Sequence, residues 1–253
     1  MLNYGICRDF DLSESQTLYC EIGSLRLWLK KIKNEVILAH CQSEEVDEFF
    51  SYSEDEIPEN AKQTRWSWES DKLEVSLAPT LHDRDLVFRA MKPIFLPSKE
   101  RVDFYVSPCV KLKISFNNKF IINLPIIRYS ETWFGKDPTI GDLCYAVKTR
   151  GTVDPDEIIK KKYRFVCHVS VYNEGATPIS IDKLKVLTEY LRLYQDGEGY
   201  LYSDSLVIRQ SEDSVKIAMS KPHITGKNLK KIFDARTALQ TIFMKAFSVL
   251  LEH

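Results

Sequence analysis

Between Arg128 and Lys148 the chain gathers side chains able to do chemistry together: Arg128, Glu131, Thr132, Trp133, Asp142, Tyr145 and Lys148. The stretch reads Ser-Glu-Thr-Trp-Phe-Gly from Ser130, passes a short Pro/Gly turn, and resumes as Gly-Asp-Leu-Cys-Tyr-Ala-Val-Lys from Gly141. An indole offers a flat apolar platform, and charges around it would orient a sugar-like or anionic ligand. In a catalytic version Glu131 or Asp142 would serve as general acid or base while Arg128 or Lys148 orients charge. The competing reading is architectural. Trp133 and Phe134 would then plug one end of a β-sandwich, with Gly135 and Gly141 meeting turn geometry.

Other constellations are weaker. His82 precedes Asp83-Arg84-Asp85, which reads better as a solvent-exposed turn or a cross-strand ion pair than as an acid–base site. Cys167 and His168 are neighbours on a strand, so they project to opposite faces and cannot form a dyad. His40, His82, His168 and His223 show no metal-ligand spacing, and no G-x-G-x-x-G, P-loop or G-x-S-x-G motif occurs. The expectation is no metal and no cofactor.

The elements that must position these residues are strands. Leu25, Leu27 and Leu29 alternate with Arg26, Trp28 and Lys30, and Leu73, Val75 and Leu77 with Lys72, Glu74 and Ser76. The same period recurs over 102–106, 110–115, 165–172 and 215–217, which predicts a mainly β, antiparallel sandwich-type architecture. Asn117-Asn118 and Asp196-Gly197-Glu198-Gly199 read as hairpin turns. Pro97-Ser98-Lys99-Glu100 is the best boundary, giving an N-terminal β lobe over 1–97 and a central β-sandwich lobe over 98–225, although one continuous sandwich would show the same pattern. From Asn228, Leu229, Ile232, Phe233, Leu239, Ile242, Phe243, Ala246, Phe247 and Leu250 recur at helical spacing. This predicts a C-terminal amphipathic helix over 226–250, while 251–253 reads as the start of a purification tag.

Charge excludes one class of partner. With 35 Lys+Arg against 36 Asp+Glu there is no field to gather nucleic acid. The N-terminal residues form neither a signal peptide nor a membrane span, so the reading is a cytoplasmic chain without direct membrane insertion, and its six scattered cysteines read as buried reduced thiols. The stretch from Gln42 to Ala61 carries acidic residues and no Lys or Arg, the pattern of a solvated loop or short exposed helix. The basic run Lys160-Lys161-Lys162 reads as a surface turn lacking, in sequence, a matching acidic partner.

The Ser130–Tyr145 segment, the Asp83-Arg84 pair, the Val102–Pro108 and Val169–Asn173 strands and Leu191-Leu193-Tyr194 together resemble an uncharacterised prokaryotic family, domain of unknown function 432. The resemblance implies no established activity and no catalytic residues. It does imply an accessory role, since some members are encoded near small mechanosensitive channels. The reading is therefore a non-enzymatic binding or interaction module, with a membrane channel as the protein partner that the family implies. The alternative is an enzyme acting on a sugar-like or anionic small molecule in a β-sandwich cleft. A third reading is self-association through the C-terminal helix.

Overall fold

Period-two patterning becomes strand nearly throughout the chain. The computed structural model describes residues 5–14, 16–53, 56–70, 72–137, 140–223, 227–237, 242–245 and 251–252. In chain order the strands are β1 (Arg8–Leu12), β2 (Thr17–Ile32), β3 (Glu35–Ser53), β4 (Lys62–Ser67), β5 (Leu73–Thr80), β6 (Leu86–Leu96) and β7 (Arg101–Val106). Next come β8 (Lys111–Phe116), β9 (Lys119–Pro125), β10 (Ser130–Asp137), β11 (Ile140–Ala146), β12 (Phe165–Asn173) and β13 (Ile179–Val186). The remainder are β14 (Leu193–Gln195), β15 (Leu201–Ser203), β16 (Ser205–Gln210), β17 (Ser214–Ser220), β18 (Lys230–Phe233), β19 (Ile242–Lys245) and β20 (Leu251–Glu252).

Among the described residues of 226–250 the expected helix is not seen. Among the described residues the only helical turns are 3-10, at Pro155–Glu157 and Thr188–Tyr190. Lys230–Phe233 instead pairs with β14, and Ile242–Lys245 with β17. Residues 238–241 and 246–250 lie outside the described residues. The apolar spacing fits a helix, but the segment is rich in Phe, Ile, Val and Thr, and β14 and β17 offer open edges for backbone hydrogen bonds. Without that helix, self-association through it has no basis. Leu251 and Glu252, set apart as a tag remnant, form β20 against Leu184 and Lys183. No helix among the described residues is long and apolar enough to cross a membrane.

The chain forms two compact units that no single cut at Pro97 separates. The first comprises 1–80, 109–128 and 161–163, and the second the remainder. In the first, β1-β5-β8-β9 form one sheet and β2-β3-β4 another. Asn117 and Asn118 join β8 to β9 with φ of 44° and 63°, the positive pair that a two-residue hairpin of this twist needs. The long β2–β3 hairpin turns at Lys33 and Asn34 and bulges around Gly23. Gly23 has φ of +56°, and a Cβ there would lie 2.7 Å from the Ile126 side chain, so only glycine fits. The acidic stretch is not a loop as far as Ser53, because β3 carries it in register with β2. Its carboxylates meet the basic run: Lys161 lies 2.6 Å from Asp47, Lys162 lies 3.1 Å from Glu48, and the Tyr163 hydroxyl donates to Glu45 at 2.8 Å.

In the second unit most strand pairings are antiparallel, as expected, but three among the described residues are parallel. One sheet runs β10-β11-β6-β13-β20, with β11 parallel to β6. The other runs β18-β14-β15-β12-β16-β17-β19 with β7 also on β12, and β12 is parallel to both β15 and β16. β12 has neighbours on both edges and is almost wholly buried, which its near-continuous apolar and small residues permit. None of the six cysteines forms a disulfide; four are buried, and Cys7 and Cys41 are partly exposed.

Candidate functional site

The β10–β11 hairpin sorts the expected site residues by face. Glu131 stands opposite Tyr145 and Trp133 opposite Leu143, and because side chains alternate these four share one face. Thr132 and Phe134, opposite Cys144 and Asp142, take the other, where Phe134 and Cys144 join Val87 in a buried cluster. On the first face Trp133 is 42% exposed and Leu143 43%. Gly141 has no room for a side chain: a Cβ there would sit 2.6 Å from the Phe134 carbonyl oxygen and 2.7 Å from Trp133 Nε1, whose indole lies over it. The loop before β6 brings in Arg84, whose guanidinium donates to Glu131 and lies 5.5 Å from the Tyr145 ring centre. His82 is buried against Tyr145 and Tyr129, at 5.5 and 5.2 Å between ring centres. The outer face is therefore a Trp–Leu pair beside a Tyr–Arg–Glu cluster.

The opposite face has different chemistry. Asp142 reaches Lys185 of β13, with Nζ 2.6 Å from Oδ2, and the ammonium also lies 5.4 Å from the Phe134 ring centre. Lys185 is 2% exposed. Burial pushes the Asp85 carboxyl above its ordinary value, opposed by the charge of Lys185 and by the Thr188 amide, which donates to it at 3.0 Å. Burial likewise pushes the Cys144 thiol up to about 11, leaving it unreactive. Asp85, Asp142 and Lys185 line a cleft of about 330 Å³ that Leu143 also borders, and in it Arg84, Lys185 and Arg236 face Asp83, Asp85, Asp142 and Glu189. Cations and carboxylates nearly balance, so most of the charge there is spent within the protein.

The expected residues thus divide. Glu131, Trp133 and Tyr145 come together, Thr132 and Asp142 turn to the other side, and Lys148 is exposed beyond the end of β11. Arg128 is exposed in the first unit, whereas the other six belong to the second. Arg84, which the sequence reads as part of a solvent-exposed turn or a cross-strand ion pair, lies in the bend before β6 and pairs with Glu131 of β10. Lys185 was not visible: alternation with Leu184 and Val186 places it on the solvent side of an isolated strand, yet β13 lies between β6 and β20 and its lysine is enclosed. Among the described residues no group of three or more His, Cys, Asp and Glu is arranged to hold a metal ion.

The whole β framework, from Cys7 to Leu251, matches one family model, described as "Protein of unknown function (DUF432)" over residues 7–251. The chain belongs to that family. No curated protein and no solved structure matches it.

Proposed function

We propose that this protein is a non-enzymatic interaction module that docks a protein partner on the outer face of the β10–β11 hairpin. The observation that carries the reading is the cross-strand pair Trp133 and Leu143, each more than two fifths exposed and flanked by Tyr145 and Arg84. Trp, Tyr and Arg dominate binding energy where they are desolvated at an interface, and a ring already held over Gly141 loses little freedom on docking. A catalytic reading of the same residues lacks convergence, since Glu131 and Asp142 occupy opposite faces. The partner that the family association supplies is a membrane protein such as a small mechanosensitive channel. The test is binding of the purified protein to that channel in detergent or nanodiscs. Trp133→Ala should weaken it by about tenfold or more, in keeping with a hot-spot residue. Equal binding by wild type and variant, or none by either, sinks the proposal.

One observation favours a second reading, an enzyme acting on an anionic or sugar-like molecule at the inner cleft. Asp85 has its carboxyl held toward the protonated form beside the buried Lys185, as a general acid would need. A turnover screen that responds to Asp85→Asn would favour it over docking.

A further inference from the structure

A second aromatic cluster lies in the other sheet of the second unit. Tyr105, Tyr200, Tyr202 and His223 wall a cleft of about 520 Å³, with Lys160, Lys227 and Glu198 also on its surface. The walls are braced from behind. The His223 ring stacks on His168 at 4.7 Å, the Tyr105 ring lies 5.1 Å from the same imidazole, and His168 Nε2 is 3.1 Å from Asp103 Oδ1. On the other side Asp196, almost fully buried, accepts the backbone N–H groups of Glu198 and Tyr200 at 3.0 and 2.9 Å and the Tyr202 hydroxyl at 3.2 Å. Asp196 also holds Lys227 Nζ at 2.5 Å, and the ammonium lies 5.7 and 5.5 Å from the Tyr200 and Tyr202 ring centres.

From this arrangement we infer a binding site for a neutral carbohydrate, a pyranose ring stacked on tyrosine with its hydroxyls engaged at the charged rim. The choice follows from what each ligand class would meet. A phosphate or sulfate needs donors without competing acceptors, but the Lys227 charge is already answered by Asp196 and Glu198 adds another carboxylate. A cation would face Lys160 and Lys227. A sugar hydroxyl both donates and accepts, which suits a rim of ammonium, carboxylate, imidazole and phenol groups, while its C–H face suits the rings. The site is distinct from the docking face, sharing no residue with it.

The experiment is saturation-transfer NMR followed by titration with the methyl pyranosides of glucose, galactose, mannose and N-acetylglucosamine, with inorganic phosphate as the competing probe. At least one pyranoside should saturate with a dissociation constant of about 10 mM or tighter. Tyr200→Ala and Glu198→Gln should each weaken it by about fivefold or more. Glu198 is exposed on a turn, so its variant reads the site even where Tyr200→Ala fails to fold. The inference is overturned if no pyranoside saturates, if the folded variants bind as wild type does, or if phosphate displaces the sugar.

Discussion

The outer face of the β10–β11 hairpin and the tyrosine cleft use nearly the same residue types, aromatic rings beside a cation and a carboxylate, to opposite effect. At the hairpin the ion pair is on the surface: Arg84 and Glu131 side chains are 37% and 57% exposed, so the pair contributes little stability and its groups remain available to a partner. In the cleft the carboxylate is internal. The Asp196 side chain is 3% exposed and collects four donors, so the rings and the ammonium around it are fixed before anything binds. Depth of the carboxylate separates a surface that a large partner would cover from a site prepared for a small one.

Removing that carboxylate should give the largest effect. Asp196→Ala leaves the Tyr202 hydroxyl and two turn amides without their acceptor, and we expect a loss of about 2 kcal/mol in denaturant unfolding together with loss of pyranoside binding. The Lys227 ammonium, partly in water, is resolvated in the variant, which limits the cost. A stability equal to wild type would mean that the cleft is not organised from Asp196.

Gly141→Ala probes the hairpin in the same way. Its new methyl group would meet the Phe134 carbonyl oxygen at 2.6 Å as well as the Trp133 ring at 2.7 Å, so the backbone must shift along with the indole, and we expect a cost of about 1 kcal/mol or more and weaker partner binding. Unchanged binding would show that the ring position does not matter for docking.

Acidification should act on the cleft's support. Burial holds the His168 imidazole below 6.5, against the attraction of Asp103 and with repulsion from His223 and Arg101. The unfolded chain takes up a proton near 6.5 that the folded ring resists, so stability is full above that pH and declines as pH falls through it toward the folded value. Asp103 and Asp196 act lower. Burial raises each carboxyl, but hydrogen bonds and neighbouring cations bring it below 3.8, so their contribution is lost only as pH falls beneath that value. Melting temperatures at about pH 7.5 and 5.5 should differ in wild type and differ less in His168→Gln. An identical shift in both proteins would assign it elsewhere.

The smallest effect is expected at Lys185→Met. Asp142, 59% exposed, returns to water, the buried Asp85 carboxyl takes up a proton more readily once the Lys185 charge is gone, and methionine fills the space beside Phe134, so stability should stay within about 1 kcal/mol of wild type. A large loss would show that the Lys185–Asp142 pair holds β11 to β13 in a way Arg84 and Glu131 do not hold the outer face.

How much of this was legible depended on the range of the interactions. The Asn117-Asn118 hairpin was readable because asparagine tolerates positive φ, whereas the Lys33-Asn34 turn carries no such mark at Lys33 and went unread. The alternation of β5 and β8 shows directly in their buried residues. The C-terminal segment misled because a 3.6-residue apolar spacing says nothing of the open edges at β14 and β17. The parallel pairings of β12 also have no local signature. In the site, Trp133 and Glu131 could be found from residue type, while their separation from Asp142 followed from a strand register that the segment alone did not define. The tyrosine cleft has no local signature, since Tyr105 and His223 reach Tyr200 and Tyr202 from distant sequence.

The three residues Lys161, Lys162 and Tyr163, clasped by the acidic strand β3, bear on how this chain can be divided. The backbone leaves the second unit after Lys160, contributes them to the first, and returns at Arg164; with the junctions at 80/81, 108/109 and 128/129 it passes between units five times. Neither unit is a contiguous reading frame. No single cut yields both units whole: a chain ending at Tyr163 would keep every residue of the first unit but would also carry 81–108 and 129–160 of the second, stripped of the strands they pair with.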